Sequence, residues 1–215
     1  MQKPCAAKKL WRLGQVFEYY LPRNVCQSRI DGHDSSSACC VIATLVAQAA
    51  LANELRVTDC LQPSSRLFLQ KFVQCIRKGN GIYDKAGRGA VLSTIYQVIS
   101  LCGGIKIAPH KDLVFKSQEN CQRQLEKQAK WMLEEERGGV AAAVIVQHPV
   151  SIALVFAEML DLVAILDSHG HGPKQGALVA VLRQQQRWDV LSTYLSSLLG
   201  GFQNAQVCFL ELCAK

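Results

Sequence analysis

Apolar and polar residues are distributed along this chain in two regimes that change over near Val140. Before it, apolar stretches have the length and composition of helices. After it, they shorten into nearly continuous runs of Val, Ile, Leu and Ala, the pattern of strands covered on both faces. A polar, turn-rich stretch from Asn24 to Ser37 leads into an Ala-, Val-, Ile- and Leu-rich segment from Ala38 to Leu55. Alanines at 38, 43, 47, 49, 50 and 52 favour helix, and apolar groups occur nearly all round. A buried central helix is therefore predicted, capped by Ser35, Ser36 or Ser37. A second helix is expected from Pro63 to about Lys78, closed by Gly79-Asn80-Gly81. A third should span Gly89 to Leu101 and stop at Gly103-Gly104, with a short strand from Ile105 to Ala108 before Pro109. A polar helix from Glu119 to Glu136 ends at Gly138-Gly139. Strands are expected at Val140–Gln147, Val150–Ala157 and Leu162–Asp167, the last two antiparallel through a turn at Glu158 to Asp161. A helix from Gly176 to Leu199, ended by Gly200-Gly201, and a strand from Gln206 to Leu212 complete the pattern. Helices first and a mostly antiparallel sheet second predict a single α+β domain over residues 1–215.

Composition narrows the function classes. Hydrophobic residues make up 49% and charged residues 19%, a globular balance. The longest apolar stretch, Val140 to Ile165, is interrupted by His148-Pro149, Glu158 and Asp161, so no membrane span is expected. Met1 to Phe17 carries Lys3, Lys8, Lys9 and Arg12 without the apolar core of a secretory leader, and it reads as a basic surface segment. The net charge of +7 is spread thinly, with Lys8-Lys9 and Arg77-Lys78 the densest pairs. No basic face with interleaved aromatics emerges, which argues against nucleic acid and leaves an acidic protein partner open. Ten cysteines without any C-x-x-C spacing argue against a zinc knuckle or a thioredoxin-type site. They point to reduced thiols in the cytoplasm or nucleus, with Cys75, Cys208 and Cys213 as small core residues.

Two segments can carry chemistry. In Ser35-Ser36-Ser37-Ala38-Cys39-Cys40-Val41 a thiol opens a helix, where unpaired N–H groups and the positive end of the dipole favour thiolate. Either cysteine can be that thiol, but successive helical positions point about 100° apart, so only one can face a given partner. Cys39 is preferred, since Cys40 can then pack with the buried face. In Leu166-Asp167-Ser168-His169-Gly170-His171-Gly172 a strand ends in acid, histidine and a glycine-rich turn. His169 can take a proton from the thiol while Asp167, two residues earlier on the same strand face, orients it. Gly170 and Gly172 should let the chain turn His171 away. The segment is also similar to the first-strand signature of metal-dependent amidohydrolase barrels, with His169 and His171 as ligands. Too little chain follows His171 for the remaining units of such a barrel, so no metal is expected.

An early helix-opening cysteine followed by a strand-borne histidine is the order of papain-like cysteine peptidases. With Asp two residues before His, the chain resembles the deubiquitinase domain of herpesvirus large tegument proteins. That family places a glutamine upstream of its cysteine as an oxyanion donor. Gln27 lies in the matching region here, among Asn24, Asp31, His33 and Asp34 as competitors. The resemblance implies a papain-like fold with a central cysteine-bearing helix packed on the sheet. It further implies Cys39, His169, Asp167 and Gln27 as catalytic residues, no cofactor, and ubiquitin or a ubiquitin-like protein as partner. The rival expectation is the same fold kept as a protein-interaction module with an inert thiol.

Overall fold

A computed structural model describes residues 7–10, 16–32, 37–61, 65–87, 94–135, 139–158, 161–183 and 188–213. Among the described residues eight strands form one sheet: β1 (Ala7–Leu10), β2 (Val16–Pro22), β3 (Ile105–Phe115), β4 (Val140–Gln147), β5 (Val150–Ala157), β6 (Leu162–Asp167), β7 (Gln175–Arg183) and β8 (Ala205–Leu212). Their order is β1-β2-β7-β6-β5-β4-β8-β3, and every described pairing is antiparallel. Helices α1 (Cys39–Leu51), α2 (Arg66–Ala86) and α3 (Ile95–Cys102) belong to one face, and α4 (Gln118–Glu135) and α5 (Trp188–Leu199) to the other.

The alternation of side chains along the central strands explains the layers. Ala142 and Val144 of β4, Ala153 and Val155 of β5, and Ala164 and Leu166 of β6 join the core beneath α1. Their neighbours Ala143, Ile145, Leu154, Phe156, Val163 and Ile165 join the core beneath α4 and α5. Both faces are covered, so the strands carry continuous apolar runs instead of strict alternation. Fully burying one Val, Leu, Ile or Phe side chain contributes about 1.5–3 kcal/mol, and β5 and β6 bury one at every second position or more.

The central helix is where it is expected, shortened at its C-terminus to Leu51 and buried from Cys39 to Ala47. Its cap differs: the N-cap is Ala38, which makes no side-chain capping bond, so Ser37 does not serve and Ser35 and Ser36 lie outside the described residues. Glycines do not close the second helix. It starts after Ser65, whose hydroxyl accepts from Phe68 N at 3.2 Å, and runs through Gly79-Asn80-Gly81 to Ala86. Gly79 is a crossing point, because a Cβ there would lie 2.4 Å from Ile42 Cγ1 and 3.2 Å from Ile42 backbone. Pro63 and Gly89 lie outside the described residues, as does Gly138.

Three further expectations are corrected. Gly176 to Leu199 is not one helix but β7 followed by α5. A short apolar run fits a doubly covered strand as well as a buried helix, and the pairing of β7 between β6 and β2 decides it. The strand at Ile105 continues to Phe115, with a register shift between Ile107 and Asp112. The basic N-terminal stretch supplies the edge strand β1 and the first two residues of β2, of which Val16 is fully buried. Cys208 is buried as expected and Cys75 partly so, but Cys213 is exposed.

Candidate active site

One end of the sheet gathers the candidate residues. The β4–β5 turn, the loop from β6 to β7, the segment after β2 and the N-terminus of α1 all meet there. Cys39 is the first residue of α1. Its Sγ lies 3.5 Å from Pro149 O in the β4–β5 turn, with the Ser151 hydroxyl and the His169 ring beside it. Burial pushes the Cys39 thiol pKa up, but the His169 ring, the Ser151 hydroxyl and the Cys40 backbone N–H outweigh it, and the net shift is downward. Cys40 is the opposite case: burial and the neighbouring Cys39 push its thiol up to about 12. Of the vicinal pair, the structure brings Cys39 to the histidine.

His169 follows the last residue of β6 by two. Its Nδ1 lies 2.5 Å from Asp167 Oδ1, and its backbone N–H donates to the same oxygen at 2.9 Å. With Nδ1 so engaged, Nε2 is the ring nitrogen left for the sulfur. Burial would lower the His169 pKa; the bonds to Asp167 and Cys39 outweigh it and raise the value to about 10. Asp167 is 2% exposed. Burial would raise its pKa, yet hydrogen bonds from His169 and His171 hold it well below the usual carboxylate range. Each shift favours the charged form of its group: thiolate at Cys39, imidazolium at His169 and carboxylate at Asp167.

His171 does not turn away. Its Nε2 lies 3.0 Å from Asp167 Oδ2, and its ring meets Tyr20 edge-on at a centroid distance of 5.7 Å. The loop bends so that the two histidines approach the carboxylate through different oxygens.

Gln27 is buried in the loop after β2. Its N–H donates to Ser168 O at 2.9 Å, and its Oε1 accepts from the Ser168 hydroxyl at 2.8 Å. The glutamine thus sits against the residue between Asp167 and His169. Asn80 of α2 anchors the loop by donating to Gln27 O at 3.0 Å. Asp31, a competitor by sequence, forms a two-pronged ion pair with Arg77 at 2.7 and 2.9 Å. Asn24 lies exposed in a turn, and His33 and Asp34 are outside the described residues.

Several contributors had little signal in the sequence. Ser151 is a single buried hydroxyl at the start of an apolar strand. Arg29 clasps two loops: Nη1 donates to Arg23 O at 3.3 Å and Gln175 O at 3.1 Å, and Nη2 to Gly172 O at 3.3 Å. Gly176 permits that approach, since a Cβ there would lie 2.1 Å from Pro22 O. Among the described residues no group of three His, Cys, Asp or Glu side chains is placed to hold a metal ion.

No protein-family model matches the chain, and no curated protein matches its sequence. Solved structures do match its fold. The ubiquitin-specific protease encoded by murine cytomegalovirus tegument protein M48, in complex with a ubiquitin-based suicide substrate, aligns over 90% of this chain and 87% of that chain, with a TM-score of 0.57 and 11% identity. The Pseudomonas avirulence protein AvrPphB aligns over 81% of this chain and 92% of that chain, with a TM-score of 0.49 and 10% identity. At such identities what is shared is the fold, and the fold of this chain is that of the papain-like cysteine proteases.

Proposed function

We propose that this protein is a cysteine isopeptidase or peptidase of deubiquitinase type, acting on ubiquitin or a ubiquitin-like modifier. The observation that carries the reading is the contact of Cys39 with a histidine whose far nitrogen rests on a buried carboxylate. The substrate rests on likeness to the viral protease, whose structure holds a ubiquitin-based suicide substrate.

In this mechanism the Cys39 thiolate attacks the scissile carbonyl carbon, giving a tetrahedral intermediate. Its oxyanion is stabilised by the backbone N–H groups at the start of α1 and by the Gln27 amide. Collapse expels the amine as His169 delivers its proton, leaving a thioester on Cys39. His169, now neutral, takes a proton from water, which hydrolyses the thioester and restores the thiolate–imidazolium pair. Asp167 holds the imidazole in the Nδ1–H form and stabilises its cation throughout. No cofactor enters the reaction.

Incubation with ubiquitin carrying a C-terminal electrophile tests this reading by intact mass. The expected result is a single adduct mapping to Cys39, lost in Cys39→Ala and retained in Cys40→Ala. Noncovalent ubiquitin binding without an adduct would favour the interaction module with an inert thiol. Neither binding nor adduct would remove the ubiquitin assignment.

A further inference from the structure

Asp167 is gripped at both oxygens, and only one grip lies on the proton path described above. Oδ1 serves His169 through its ring and its backbone N–H. Oδ2 faces Nε2 of His171 at 3.0 Å. An ionised carboxylate offers only lone pairs, so each ring nitrogen turned to it carries a proton.

His171 is itself fixed on two further sides. Its backbone N–H donates to Gly176 O at 3.2 Å, and its ring rests against Tyr20 of β2. Tyr20 donates its hydroxyl to Glu18 at 3.0 Å, and Glu18 also accepts from Tyr194 of α5 at 2.9 Å. The groups around this carboxylate and its second histidine are therefore His169 from its own loop, Tyr20 from β2 against the His171 ring, and Tyr194 from α5, with Glu18 of β2 bonded to both tyrosines. Arg29 stands on the loop carbonyls of Gly172 and Gln175, and Cys39 of α1 lies beyond His169.

A buried carboxylate held by one side chain can rotate about Cβ–Cγ. Donors on opposite oxygens fix its plane. We infer that His171 is a positioning residue: its Nε2–H bond to Oδ2 locks Asp167 in the plane where Oδ1 meets His169, with Tyr20 as a backstop for the ring. The inference rests on the proposed Cys39–His169 pair and extends it to a residue that acts on that pair through Asp167. Losing this donor strands a buried carboxylate oxygen. Asp167 then swings, His169 is held less firmly, and the Cys39 thiolate loses part of its counter-ion.

The test uses the whole chain and three variants. His171→Phe keeps a ring against Tyr20 but has no donor. His171→Gln places an amide N–H at a reach similar to Nε2. His171→Asn carries a donor too short to reach Oδ2, and it serves if His171→Phe does not fold by circular dichroism. The readout is the pH dependence of iodoacetamide labelling at Cys39, mapped by peptide mass, alongside kcat and KM on a ubiquitin–dye conjugate.

For His171→Phe and His171→Asn the Cys39 labelling midpoint should move up by about one pH unit, which is about tenfold in thiolate at a pH below the midpoint. The kcat should fall with KM little changed, and His171→Gln should stay close to the parent. If the Gln and Phe variants behave alike, whether both as parent or both shifted, the donor has no positioning role. Labelling needs no ubiquitin, so a normal midpoint shift with an inactive conjugate assay would sink the substrate assignment and leave this inference standing. Labelling of Cys39 in the parent no faster than of Cys75 would remove both.

Discussion

Two adjacent cysteines open the same helix, and their surroundings give them opposite acidities. Cys39 meets an imidazole ring, a hydroxyl and the Cys40 backbone N–H, whereas Cys40 turns into the core with Val41 and Ile42. The acid and base that serve Cys39 divide their work unequally. In the proposed mechanism His169 carries the proton and Asp167 only holds it, so the two should differ on mutation. We predict that His169→Ala lowers kcat/KM on a ubiquitin–dye conjugate by about 10²–10⁴-fold, the range of general acid–base catalysis. Asp167→Asn should be milder, because an amide oxygen can still accept from Nδ1 if the amide is turned the right way. The reverse order would mean that His169 does not carry the proton.

At the scale of elements, what the chain disclosed depended on whether a signal was local. β4, β5 and β6 were legible because each is a compact apolar run bounded by turns. The placement of Cys39 at a helix start and of Asp167 and His169 at a strand end was legible because short motifs mark element ends. β7 was misread because its run admits two structures, and only its pairing with β2 and β6 selects one. The glycines at 79 and 176 were misread because their purpose lies in what approaches them from elsewhere in the chain. Ser151, Arg29, Asn80 and the grip of His171 on Asp167 were invisible for the same reason. Gly176→Ala tests this account. Its Cβ would fall 2.1 Å from Pro22 O and 2.6 Å from Val25 O, both backbone atoms. Overpacking of this kind costs about 1–3 kcal/mol. We expect a lower urea midpoint and a loss of conjugate hydrolysis, because the displaced segment is the one that carries Gln27. Unchanged stability and activity would show that the segment is free to yield.

At the scale of the whole molecule, the charged site makes folding depend on pH from both sides. Asp167 has its pKa depressed by folding, so its contribution is present above its ordinary value of about 4 and is lost as pH falls further. His169 has its pKa raised to about 10, so its contribution is complete below its ordinary value of about 6.5 and is lost as pH rises through about 10. The difference in urea midpoint between the parent and Asp167→Asn should therefore shrink below about pH 4. That between the parent and His169→Gln should shrink on the alkaline side, toward about pH 10. Differences that stay flat across pH would mean that these groups titrate alike in the folded and unfolded chain. The strand order also governs when the site comes into being. β2 hydrogen-bonds to β7, and the thiol meets a base borne on the loop between β6 and β7. Such distant pairings form slowly, because long loops must close before any contact rewards them. A chain still being synthesised, or one cut anywhere before Asp167, carries Cys39 without the histidine that the proposed mechanism assigns as its base. The proposed hydrolase centre is therefore complete only once the last strands close the sheet, and unfinished copies carry its parts without its activity.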